Sequence, residues 1–169
     1  MTSLSGDRLV PKTHRRIAFR GIIDTLEAEV IEAQVLASER GEEGLCGNLG
    51  EVLGFLRAIM AAEVKESPLP PLPLFGMELE EIRRRVKEMK GPPLLPAYTQ
   101  GALAARLNTL RAKLREAELL AVRVFGPEGN HGGTGPSERE DIIMALNRLS
   151  GALWWLFCEY RANFSRAQL

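Results

Sequence analysis

The sequence predicts an all-α protein, a five-helix bundle formed by one domain over residues 1–169. Apolar residues recur at helical spacing in several blocks along the chain. Runs rich in Val, Ile, Thr and aromatic residues with period-two alternation are scarce, which argues against a sheet. Proline-rich and glycine-rich stretches separate the helical blocks and read as loops within one domain. A chain of 169 residues is long enough to bury a sizeable core.

The first two helices are predicted at about residues 15–38 and 48–65. Gly41 and Gly44 break the helical pattern between them. Each block places its apolar side chains on one side of a helix. These positions are Ile22, Ile23, Leu26, Val30 and Ala33, followed by Leu49, Val52, Leu53, Leu56, Ile59 and Met60.

Three more helices are predicted in the second half of the chain, at about residues 77–90, 99–126 and 138–163. The segments "SPLPPLPLFG", "KGPPLLP" and "GPEGNHGGTGP" separate them. Ser137 and Glu140 have the spacing of a capping box at the start of the last helix. Four of the five helices are long enough to form a bundle.

Composition narrows the class of protein. The chain has 22 Lys plus Arg and 22 Asp plus Glu, so its formal net charge is zero. This balance argues against broad binding to nucleic acid or to anionic membranes. We expect no membrane-spanning run and no signal peptide. Cys46 and Cys158 suggest neither a disulfide framework nor a zinc site, so a cytoplasmic location is expected.

A polar line runs along the fourth helix. Asn108, Arg111, Arg115 and Glu118 follow steps of three, four and three, which place them in one row. Like charges four residues apart on a helix cost roughly 0.2–0.5 kcal/mol. One interpretation is an anion site in which Glu118 holds one of the two arginines. The other is a solvated face with an Arg115–Glu118 pair.

Two further polar residues interrupt apolar helix faces. Asn147 lies in the strongly apolar last helix and is either a ligand contact or a satisfied residue between helices. Asp24 lies beside Ile22, Ile23 and Leu26. It is either an ordinary exposed acid or the partner of Arg111 or Arg115, if the first and fourth helices are adjacent. Trp154 and Trp155 are expected in the core or at a subunit interface.

Three segments, in this order, resemble the ATP:corrinoid (cobalamin) adenosyltransferases. They are "TSLSGDRLVPKTHRRIAFRGIIDTLEAEV", "LRAKLREAE" and "ALNRLSGALWWLFCEYRAN". The first resembles that family's N-terminal Thr-Ser pattern with a following lysine. The others resemble its Arg-x-x-x-Arg-x-x-Glu helix and its Leu-Asn-Arg-Leu-Ser signature. "LNTLRAKLRE" followed by "VRVF" is most similar to the ethanolamine-utilisation branch.

The resemblance implies a homotrimer of five-helix bundles with substrate sites between subunits. It implies that ATP, with Mg²⁺, donates a 5′-deoxyadenosyl group to reduced cob(I)alamin or a related corrinoid. The product is adenosylcobalamin, available to a downstream enzyme, and triphosphate is released. By position, the resemblance implies that Thr2 and Ser3 belong to the nucleotide loop and that Lys12 contacts the phosphates. It places Arg111 and Arg115 near ATP, with Asp24 as the partner of Arg111. Glu118 matches the glutamate of the same helix, and Asn147 matches an asparagine at the nucleotide.

The chemistry fits these residue types. Triphosphate leaves more readily when its growing negative charge is neutralised, which paired arginines, a lysine and a metal ion do. Because the nucleophile is the cobalt of the substrate, no catalytic Ser, Cys or His is needed. An apolar wall below the corrin would exclude the lower axial ligand of cobalt and make the cobalt easier to reduce.

The sequence departs from the family at several points. The glycine-rich phosphate loop of the larger branch is almost absent before Thr2. The His/Cys metal motif of some ethanolamine-branch members is also absent, so we predict no transition-metal site. The phenylalanine that displaces the lower ligand has no clear match; Leu94, Leu95 and Tyr98 are the candidates. Glu116 and Gly151 stand where many relatives have Arg and Asp.

Three hypotheses therefore remain for the function. The chain is a corrinoid adenosyltransferase, a non-catalytic corrinoid- or nucleotide-binding module, or a purely structural helical oligomer. An adenosyltransferase would form product in an ATP-dependent way, and a binding module would bind ATP or corrinoid without forming product. A purely structural oligomer would show no ATP-dependent thermal shift.

Overall fold

The chain folds into a helical bundle preceded by a short β-hairpin. A computed structural model describes residues 1–88, 95–126 and 137–167. Its strands are β1 (Thr2–Ser5) and β2 (Arg8–Val10). Its helices are α1 (Arg15–Glu39), α2 (Glu43–Val64), α3 (Leu79–Glu88), α4 (Gly101–Phe125) and α5 (Glu140–Ala167). A 3-10 turn at Tyr98–Gln100 precedes α4. The predicted all-α architecture with five helices is confirmed for the described residues.

The hairpin is the element that the sequence did not predict. β1 and β2 pair antiparallel, with Thr2 opposite Val10 and Ser3 opposite Leu9. Strands of four and three residues are too short to show a period-two pattern. Gly6 has φ +51°, a conformation that glycine adopts without strain, and it lies in the tight turn between the strands.

The main differences from the prediction at helix starts are in α2 and α5. α2 begins at Glu43, five residues before the predicted start, and includes Gly44 and Gly47. Glycine weakens a helix by about 1 kcal/mol, which the packing of the apolar face of α2 outweighs here. The predicted capping box is wrong, because α5 begins at Glu140 and the hydroxyl of Ser137 donates to the Phe125 carbonyl oxygen at 2.9 Å.

The four long helices form a closed ring. α1 packs against α2 and α4, and α5 packs against α4 and α2, while α3 packs on α5. The apolar stripes predicted from the sequence meet inside this ring. Leu26, Leu56, Leu110 and Leu149 are each fully buried there. Ion pairs between Glu29 and Lys113 and between Glu32 and Arg106 show that α1 and α4 are antiparallel.

A buried ionic cluster ties α1 to the end of α2. The Glu63 side chain is fully buried and bonds to the guanidinium groups of Arg16 and Arg20, each at 2.5 Å. Arg16 also pairs with the exposed Glu66. Close by, Arg139 donates to the carbonyl oxygens of Ala62 and Ser67. This cluster fixes where the ends of α1, α2 and α5 meet.

The sequence expectation of no membrane-length apolar run needs correction for α2. Helix Glu43–Val64 is long and apolar enough to cross a membrane by length and composition alone, with a mean hydropathy of 1.3 over its most apolar window. Its side chains Leu49, Leu56 and Ile59 are fully buried in the bundle. A helix that packs its apolar side chains into a helical core can be as apolar as a membrane-spanning helix, because both keep these side chains away from water.

Candidate active site

Arg111 lies on an aromatic platform between α4 and α5. Its Cζ is 5.3 Å from the ring centre of Trp154, which is within cation–π range. One of its terminal nitrogens donates to the Asn108 Oδ1 at 3.3 Å. Its Nε is buried and has no hydrogen-bond partner among the described residues. Because a buried unpaired donor is costly, this N–H is a candidate for binding an anionic ligand.

Glu118 and Asn147 form the second part of the same face. Asn147 Nδ2 donates to Glu118 Oε1 at 2.8 Å, which joins α4 to α5. Glu118 lies seven residues after Arg111, so the two are about 10 Å apart along the helix axis. The bond orients the Asn147 amide and leaves its carbonyl oxygen and second N–H available. The Arg115–Glu118 pair of the solvated-face interpretation is not formed, since Glu118 bonds to Asn147 instead.

A cleft with a volume of about 320 Å³ opens beside this pair, between α3 and α5. Two arginines border it, Arg83 from α3 and Arg148 from α5, and both pair with Glu80. The lining residues are Arg83, Glu118, Ile143, Met144, Asn147 and Arg148. Sequence reasoning missed Arg83 and Arg148. Arg148 lies inside the "LNRLS" segment, so it could have been found there, but nothing in the sequence of α3 shows that it packs beside that segment.

Asp24 and Arg115 both lie on the exposed outside of the bundle. The condition for their pairing is met, because α1 and α4 are adjacent. However, Glu29 and Lys113 occupy the contact between these helices, and Arg111 faces Trp154 on α5. Among the described residues, Asp24 makes no hydrogen bond or ion pair. The Asp24–Arg111 pairing is therefore not made within one chain.

The N-terminal candidates lie on or just after the hairpin. Thr2 is half-buried, whereas Ser3 and Lys12 are exposed. The Ser3 hydroxyl donates to the Gly6 carbonyl oxygen at 2.7 Å. In the described parts of the chain, no hydrogen bond or ion pair joins these three residues to α4. The fold thus brings Arg111, Glu118 and Asn147 onto one face, with the exposed Arg115 in the same row of α4. It leaves Asp24, Thr2, Ser3 and Lys12 apart from this face.

The two apolar-wall candidates that the structure describes, Leu95 and Tyr98, lie shortly before α4. Leu95 and Tyr98 are strongly exposed, at 76% and 92%. Leu94 is outside the described residues. Exposed apolar side chains of this size are available to cover a flat apolar ligand.

The described residues give no sign of a protein nucleophile or an all-protein metal cage at this face. Cys158 lies one turn beyond Trp154 on α5. Burial, together with the charge of Glu159, raises the pKa of the Cys158 thiol, so the thiol stays protonated near neutral pH. No three His, Cys, Asp or Glu side chains converge in the described parts of the chain.

The chain belongs to the cobalamin adenosyltransferase family, whose model matches residues 1–160. It is 30% identical over 158 residues to the corrinoid adenosyltransferase EutT of Salmonella typhimurium (strain LT2), which covers 91% of this chain and 56% of that protein. The EutT proteins of Escherichia coli K12 and O6:H1 (strain CFT073) match with the same identity and coverage. The chain thus spans little more than half the length of these relatives. No solved structure matches it significantly.

Proposed function

We propose that this chain transfers the 5′-deoxyadenosyl group of ATP to cob(I)alamin or a related corrinoid. The cobalt(I) electron pair forms the Co–C5′ bond, the C5′–O bond breaks, and triphosphate leaves with that bonding pair. The observation that carries the proposal is Arg111 on the Trp154 ring, with an unpaired Nε, next to the Glu118–Asn147 pair. The family membership of the chain and the printed activity of its EutT relatives support the same reaction.

Each residue of this face has a role in the proposed reaction. Arg111 donates to the phosphate chain and neutralises the charge that grows on the leaving group. Trp154 holds the guanidinium in place, so little reorganisation is needed during the reaction. Asn147, oriented by Glu118, hydrogen-bonds the nucleotide. Arg115, Thr2, Ser3 and Lys12 are proposed to complete the nucleotide site, with Lys12 at the phosphates.

Mg²⁺ is proposed to arrive with ATP. Mg²⁺ in nucleotide sites is usually held by substrate phosphates, water and one or two carboxylates. Glu118 fits this role, because only one of its oxygens accepts a hydrogen bond from Asn147. The metal would further neutralise the phosphate charge, and the protein residues would position the phosphate chain of ATP.

We also propose that the working assembly is a homotrimer in the cytoplasm that hands its product to an adenosylcobalamin-dependent enzyme. Large apolar side chains are exposed on α1 and α4, namely Ile31, Val35, Leu119 and Val122. Burying them between copies is favourable. The unpaired Asp24 would then meet Arg111 of a neighbouring copy, which forms the pairing that one chain does not make.

The test is to mix the purified protein anaerobically with chemically reduced cob(I)alamin, ATP and Mg²⁺ and to follow the corrin absorbance. We expect ATP-dependent conversion to a light-sensitive alkylcobalamin. Binding of ATP or corrinoid without conversion would instead indicate a non-catalytic corrinoid- or nucleotide-binding module. Binding of neither, with cobalt(I) confirmed in the mixture, would overturn both functions.

A further inference from the structure

The cleft between α3 and α5 extends the candidate site beyond the residues that the family motifs mark. It begins at Glu118 and Asn147 and ends at Arg83 and Arg148. The cleft therefore adjoins the Glu118–Asn147 part of the face and brings two arginines beside it.

Both arginines of the cleft share one carboxylate. Arg83 pairs with Glu80 at 3.5 Å within α3, and Arg148 reaches the same side chain from α5. The two guanidinium groups surround the single exposed carboxylate of Glu80 at the α3 end of the cleft, while Glu118 lines its other end. Their donors suit phosphate, whose oxygens accept the parallel bonds of a guanidinium fork.

We infer that Arg83 and Arg148 bind the distal phosphates of the nucleotide triphosphate and of the triphosphate product. This inference rests on the proposed function for the identity of the nucleotide. A triphosphate nucleotide is an extended molecule, and Arg111 and Glu118 are already two helical turns apart. Arg148 lies six residues before Trp154 on α5, about 9 Å along the helix axis, so a phosphate chain bound at Arg111 and the long Arg148 side chain can together span this separation. Glu80 occupies the two arginines when no phosphate is bound.

The test measures the affinity of the full chain for inorganic tripolyphosphate and for AMP by calorimetry. We expect Arg83→Gln and Arg148→Gln to weaken tripolyphosphate binding by about tenfold or more, because each removes charge-assisted hydrogen bonds. AMP, which has no distal phosphates, should bind with little change. Arg84→Gln is the matched control, since Arg84 is the adjacent arginine of α3, pairs with Glu88, and does not line the cleft.

Glu80→Gln separates a binding role from a structural one. It removes the carboxylate that competes with phosphate, so we expect tripolyphosphate to bind more tightly. If Arg83 and Arg148 only held α3 against α5 through Glu80, this variant would weaken binding as much as the arginine variants do. That result would overturn the inference.

The remaining outcomes also decide the matter. The inference would be overturned if Arg83→Gln and Arg84→Gln lost the same tripolyphosphate affinity. It would also be overturned if AMP affinity fell as much as tripolyphosphate affinity, or if the wild type bound no tripolyphosphate. If the wild type makes the alkylcobalamin but Arg83→Gln keeps full tripolyphosphate affinity, the inference fails and the proposed function stands. If the wild type makes no product but shows the expected differences in binding, the phosphate site stands and the proposed function fails.

Discussion

At the scale of single residues, the two arginines that lie four residues apart on α4 have different surroundings. Arg111 lies half-buried against Trp154 and Asn108, whereas Arg115 lies exposed. Both residues occupy one row of the helix, and the Trp154 ring lies against the guanidinium group of Arg111. The sequence identified the row but not the platform, because Trp154 was expected in the core or at a subunit interface.

Replacing the platform tests its role. Trp154→Leu removes the ring below Arg111, so we expect KM for ATP to rise by about threefold to thirtyfold, as the range of cation–π energies implies. Trp155→Leu is the matched control, because Trp155 stacks on Phe75 with ring centres 5.4 Å apart. Steady-state kinetics would check this, and equal effects of the two variants would contradict the role given to Trp154.

At the scale of elements, the sequence predicted the helices better than it predicted their ends. The apolar side chains of α1, α2, α4 and α5 recur at helical spacing, and those at Leu26, Leu56 and Leu110 are buried as expected. The hairpin was missed because its strands are short. The Ser137 cap was predicted but is wrong, because that hydroxyl bonds to the Phe125 carbonyl oxygen instead. Nothing in the sequence indicates that α3 packs on α5, so Arg83 was missed.

The buried carboxylate where α1 meets α2 predicts a large loss of stability on substitution. Glu63→Ala leaves Arg16 and Arg20 without their shared partner, and breaking a buried ion pair costs about 3–5 kcal/mol. Chemical denaturation would measure the change. Glu66→Gln is the control, because that carboxylate is exposed, and its loss should be much smaller. Similar losses in the two variants would contradict a central role for Glu63.

The start of α5 predicts a dependence of stability on pH. Burial by itself raises the pKa of Asp141, but hydrogen bonds from Arg139 and from the Leu69 N–H outweigh it and hold that pKa below its ordinary value. A carboxyl group whose folded pKa is lowered stabilises the fold above its unfolded pKa, and this contribution is lost as the pH falls through the folded pKa. The unfolding temperature should therefore drop on acidification.

Asp141→Asn isolates this contribution. The variant should be less stable near neutral pH and should lose less stability than the wild type on acidification. Circular dichroism melts across the acid range would compare the two. Wild-type and variant curves that stay parallel at all pH values would contradict the assignment.

At the scale of the whole molecule, the single chain leaves part of the candidate site unassembled. Asp24 and Arg115 lie on an outer surface that also exposes Ile31, Val35 and Leu119. In the proposed homotrimer, each site would combine Arg111 of one copy with Asp24 of another. Residues brought together only by assembly leave no signal in the sequence that separates them from ordinary exposed residues.

Mixing two inactive variants tests this arrangement. Asp24→Ala and Arg111→Ala should each cripple turnover, yet co-assembled chains should regain activity, because about a quarter of the interfaces in a random mixture would hold both intact residues. The measurement is turnover of the co-expressed variants against each alone, with sedimentation to confirm assembly. No recovery in a confirmed mixed assembly would contradict sites shared between copies.

A single-turnover comparison tests whether Arg111 faces the leaving triphosphate. Wild type, Arg111→Ala and the exposed control Arg123→Ala would react with cob(I)alamin and Mg-ATP under anaerobic conditions, with alkylcobalamin and triphosphate both quantified. We predict equal amounts of the two products for wild type and control, and a rate about 100-fold lower for Arg111→Ala with unchanged helical content. A wild-type rate in Arg111→Ala would contradict the claim.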